Sequence, residues 1–113
     1  MTQYLVAIHH PDDYDPAVAE DDAMTRAIDA LNDEMVAAGA RVFVGGLYAP
    51  ARARSVRPRA DGGTDVADGP YVRATDYVEG LWVLEAADLD EATVWARKAA
   101  IACRAGVEVR AFH

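Results

Sequence analysis

Only two stretches of this chain carry helical spacing while five or six others read as strands, and two helices cannot cover both faces of a sheet. In the first, Met24, Ile28, Leu31, Met35 and Ala38 recur at helical intervals, with Asp15 placed to cap, Pro16 at the first position and Gly39 as the stop. The second opens on Asp88 and Glu91, spaced as a capping box, and carries its apolar stripe through Leu89, Ala92, Ala96, Ala99 and Cys103. The strands are QYLVAIH (3–9), RVFVGGL (41–47), ARARSVRP (51–58), GLWVLEA (80–86) and VEVRAF (107–112). TDVADGP holds at most one short strand more, and Pro58 marks an edge or an end. This order predicts an α+β ferredoxin-like sandwich, with two helices on one face of a mainly antiparallel sheet.

The uncovered face presents residues such as Leu5, Phe43, Trp82 and Phe112, depending on register. An apolar sheet face of several hundred square ångströms usually marks an interface. A two-fold pairing is the commonest way to cover it. The chain is therefore expected to form a homodimer, sheet against sheet.

The 113 residues make a single domain, 1–113, and 52% apolar composition supplies its core. A net charge of −8 excludes nucleic acid as a partner, because phosphate backbones bind clustered Lys and Arg. No apolar run reaches the roughly 18 residues of a membrane span, so no membrane partner is expected. Met1 leads straight into a strand and the single Cys103 fits a reducing compartment, so the expectation is a soluble, unprocessed, cytoplasmic protein. No cofactor is expected, since the chain has no Gly-rich phosphate loop or cofactor fingerprint. HHPDDYD sets His9, His10, Asp12 and Asp13 close in sequence, yet their spacing matches no established zinc or iron motif. No metal is expected either.

With the order of elements in place, Asp68-Gly69-Pro70-Tyr71 becomes recognisable. The chain resembles the YCII-related family, and within it the DGPF branch, where an Asp-Gly-Pro-Phe turn precedes a central strand. The likeness spans nearly the whole chain: QYLVAIH, AAGARVFVGGLYAP, the turn, DLDEA at a helix start, and GVEVRAF at the close. It implies a dimeric α/β-barrel assembly of ferredoxin-like subunits. Much of the family has no established activity, and a histidine–aspartate pair has been suggested as a catalytic unit in some members. This chain departs from the branch after the turn. Arg73, Thr75-Asp76 and Glu79-Gly80 stand where the family typically has an acidic residue, a Lys-Glu pair and two glycines, and Tyr71 replaces phenylalanine.

Asp68 has two roles open to it. In an Asp-Gly-Pro turn its carboxylate accepts backbone N–H groups. In a site it acts as acid, base or orienting partner for an imidazole. Strand neighbours point to opposite faces, so His9 continues the Leu5/Ala7 face and His10 the Ile8 face. His9 is thus the candidate for a pocket at the subunit boundary, with Asp68 as its catalytic partner. Arg52, Arg54, Arg57 and Arg59 form the one basic cluster. They are either charges that guard an edge strand or an anion clamp. In the second case Arg52, Arg54, Arg73 and Tyr71 would hold a small acidic or aromatic metabolite. Cys103 reads as a small buried hydrophobe. The expected function is binding of a small metabolite in a cleft at the sheet edge or subunit boundary, with or without His/Asp acid–base chemistry. The alternative is a non-catalytic ligand-sensing or protein-interaction module.

Overall fold

Strand β1 (Thr2–Pro11) is apolar on both alternating sets of residues, and it lies in the middle of the sheet. A computed structural model describes residues 1–113. After β1 come a single helical turn α1 (Pro16–Ala19), helix α2 (Asp22–Ala37) and strand β2 (Arg41–Gly46). A 3₁₀ turn (Pro50–Arg52) leads to a hairpin of β3 (Arg54–Pro58) and β4 (Thr64–Asp68). Strand β5 (Asp76–Ala86), helix α3 (Leu89–Cys103) and strand β6 (Gly106–Ala111) complete the chain. The four-stranded sheet has the order β2-β5-β1-β6, antiparallel at every junction. That is the ferredoxin-like arrangement, with β3 and β4 paired only with each other.

The register assigns each face. Tyr4 lies opposite Leu84, Val6 opposite Trp82, and Ile8 opposite Gly80, so these rows face the helices. Leu5 opposite Val83 and Ala7 opposite Leu81 face away. Trp82 therefore does not belong to the uncovered face. It is 3% exposed, in the core with Val6, Met35, Leu84 and Ala99. Its indole N–H donates to Asn32 Oδ1 on α2 at 2.9 Å, which satisfies the one polar atom that burial would otherwise strand. Phe43, paired with Val83, stays on the outer face at 57% exposed.

The first helical stretch is broken, where the spacing predicts one helix from Asp15. Asp15 does cap a turn with Pro16 at its start, its carboxylate accepting from Ala17 N–H. A second cap follows six residues on, at Asp21, which accepts from Met24 N–H at 2.8 Å and begins α2. Two competing caps divide the segment, and Glu20 between them is extended. In α3 Asp88 caps as expected. Leu89 is exposed, however, and the bulk of the buried stripe comes from Trp95. No helix is long and apolar enough to cross a membrane.

Candidate functional site

One row of the helix-facing sheet surface lacks side chains on two of its strands. Gly46 on β2 pairs with Gly80 on β5, which pairs in turn with Ile8 on β1. A Cβ at Gly80 would come within 3.3 Å of the Gly45 carbonyl oxygen, so glycine there lets β2 approach closely. A Cβ at Gly46 would meet only the Glu79 carbonyl oxygen, at 3.9 Å. Between this bare row and the start of α2 lies a cavity of about 240 Å³. Met24, Ile28 and Asn32 of α2, Val44 of β2, Trp82 of β5 and Cys103 of α3 are among the residues that line it. Since a liquid water occupies about 30 Å³, the space holds the equivalent of about eight waters, or one ring with a short substituent.

The polar side chains in the cavity lining are His10, Glu20, Asn32 and Glu79. His10 lines the cavity beside Ile8, as alternation predicts, while Glu20 and Glu79 line the same space. The strand is irregular here: Ile8 pairs with Gly80 but His9 pairs with Val78, so Glu79 is the extra residue of a bulge. Bulges re-aim side chains and recur beside functional sites. His10 stacks on Tyr14, with ring centroids 3.7 Å apart and planes 19° from parallel. Its Nε2 is buried with no hydrogen-bond partner. An orphaned buried nitrogen costs free energy, so it is a group that a bound molecule would satisfy. The Tyr14 hydroxyl donates to Glu20 Oε2 at 2.7 Å. Burial, that hydrogen bond and the charge of Glu20 push Tyr14 up to about 12, with a further contribution from Glu79. Burial also pushes the Cys103 thiol up, so it stays protonated and unreactive at neutral pH. Asn32 Oδ1 accepts from Trp82 and Arg41, and its Nδ2 donates one hydrogen to the Ile28 carbonyl.

The residues singled out from sequence lie elsewhere. His9 borders a shallow groove with Asp76, Gly106 and Glu108. Asp68 ends β4 and pairs with Arg54 at 3.4 Å, both side chains largely exposed. No hydrogen bond or ion pair joins His9 to Asp68 within the chain. The Asp68 carboxylate does not hold its turn through backbone N–H groups either. Ser55 Oγ–H donates to the Gly69 carbonyl at 2.7 Å and Gly69 N–H donates to the Ala53 carbonyl, with Gly69 at φ +104°. Arg52 stacks over Tyr48 and Arg57 over Tyr71. A wider groove of about 430 Å³ between hairpin and sheet includes Arg52, Tyr48 and Tyr77, but not Arg54, Tyr71 or Arg73. Arg73 is exposed and forms no ion pair.

The site thus rests on His10, Tyr14, Glu20 and Glu79. Strand parity puts His10 beside Ile8, but the sequence favours His9 for the pocket, and Glu79-Gly80 stands out there only as a departure from the family pattern. Glu20 and Tyr14 sit in and beside an unforeseen helix break, and carried no sequence signal. No group of three or more His, Cys, Asp or Glu side chains is arranged to hold a metal ion. Chemically the cavity offers an imidazole, two carboxylates and apolar walls, which suits binding and proton transfer. Compared with known families, residues 1–112 match the model of the YCII-related domain. No curated protein matches the chain.

Proposed function

The chain belongs to the YCII-related family, and within it we propose a homodimeric protein that binds a one-ring metabolite between α2 and the β2–β5 edge. The observation that carries this reading is the buried, unpartnered His10 Nε2 beside a cavity opened by Gly46 and Gly80. Binding supplies the missing hydrogen bond, and an imidazole so placed can take or give a proton on the bound molecule. The outer sheet face, with Leu5, Leu81, Val83 and exposed Phe43, supports pairing of two copies. Nothing within the chain supports acid–base work by His9 with Asp68, or an anion clamp combining Arg52, Arg54 and Arg73 with Tyr71, so neither is part of this reading.

The test is a thermal-shift screen of small aromatic acids, alcohols and amines on the wild type, His10→Ala and Gly46→Val. Gly46 has an ordinary φ, so valine intrudes on the cavity without backbone strain. Compounds that stabilise the wild type are expected to lose their effect on Gly46→Val and to weaken on His10→Ala. Equal stabilisation of all three proteins removes the cavity from the function.

A further inference from the structure

The charges around the cavity say what kind of molecule it takes. Of the residues that line it, the charged ones are Glu20 and Glu79, and neither Lys nor Arg is among them. Two guanidinium groups border the site, and each is already engaged. Arg104 clamps Asp21 through two N–H groups at 3.0 Å each. Arg41 donates to Asn32 Oδ1, whose oxygen also receives the Trp82 indole. Glu20 has one carboxylate oxygen on Tyr14 and the other without a protein donor, and Glu79 has no side-chain hydrogen bond. Beside them stands the enclosed His10 Nε2, which is an acceptor when the ring proton sits on Nδ1.

Resting on the reading above, we propose that the bound molecule is a small primary amine, carried as its ammonium ion on an apolar one-ring body. An ammonium has three N–H donors and no acceptor, and the cavity lining offers Glu20, Glu79 and His10 Nε2 to receive them. The rest of the molecule lies against Met24, Ile28 and Trp82 over the bare glycine row. An anion entering the same space meets two carboxylates, with no Lys or Arg in the lining to offset them. This reverses the preference for acidic ligands that the arginine cluster implies.

Calorimetric titration of the full chain with benzylamine, benzyl alcohol and benzoate at neutral pH tests the assignment, because the three differ chiefly in charge. Benzylamine is expected to bind about tenfold or more tighter than benzyl alcohol, the usual margin of a charge-assisted hydrogen bond, with benzoate weakest. Glu79→Gln and Glu20→Gln keep shape and remove charge. Each is expected to weaken benzylamine about tenfold while leaving benzyl alcohol unchanged. Benzoate binding as tightly as benzylamine, or Glu79→Gln leaving benzylamine unaffected, overturns the amine assignment. In that event loss of binding in Gly46→Val still upholds the cavity. If none of the three binds, or Gly46→Val binds as the wild type does, cavity and amine fall together.

Discussion

Tyr14 is where the chemistry of the site can be read from one side chain. Its phenol O–H donates a hydrogen bond to Glu20, and burial, that hydrogen bond and the neighbouring negative charge push its ionisation up to about 12 from an ordinary value of 10.0. A proton held more tightly in the folded state stabilises the fold fully below pH about 10. That contribution is lost as pH rises through about 12. Phenolate absorbance, with Tyr14→Phe as the difference, is expected to show one tyrosine titrating late. Glu20→Gln should bring that titration part of the way back, since burial is the larger cause and persists. A Tyr14 that ionises at the ordinary value in the wild type would contradict the geometry drawn for Tyr14 and Glu20. His10 is legible at this scale because alternation alone puts it beside Ile8. Glu79 is not, because a bulge is a property of two strands and only one of them is read at a time.

Among the elements, spacing locates both long helices and every strand of the main sheet, because each must bury one apolar set of residues. It misses the break at Glu20. Asp15 and Asp21 are both competent caps, and which of them starts the helix depends on where α2 meets the sheet and on Arg104 holding Asp21. It also leaves open which face of the sheet Trp82 joins, since register is set between strands. Once that register is known, the outer face of the sheet reads as Leu5, Phe43, Leu81 and Val83. If this face pairs two copies, light scattering at micromolar concentration gives a dimer mass for the wild type. Phe43→Glu, which buries a charge in such an interface, shifts the mass toward the monomer. A monomer mass for the wild type contradicts pairing through this face.

For the molecule as a whole, the two faces of the sheet have different tasks. The outer face centres on Leu5, Phe43, Leu81 and Val83, with Gln3, Glu85, Glu108 and Arg110 around them, and is the face proposed to pair. The inner face carries the core under most of α2 and α3, but opens where Gly46 and Gly80 withhold side chains. The Asp-Gly-Pro-Tyr turn marks the family, yet it belongs to the hairpin and forms no part of the cavity. The central claim is that small molecules enter beside His10, and not beside His9 or His113. Imidazole nitrogen–proton correlation spectra separate the three histidines directly. On titration with benzylamine, benzyl alcohol and benzoate in turn, every compound that binds is expected to move the His10 resonances and leave those of His9 and His113 in place. Saturable binding that moves His9 while His10 stays fixed would place the site on the opposite face of the sheet and contradict the account.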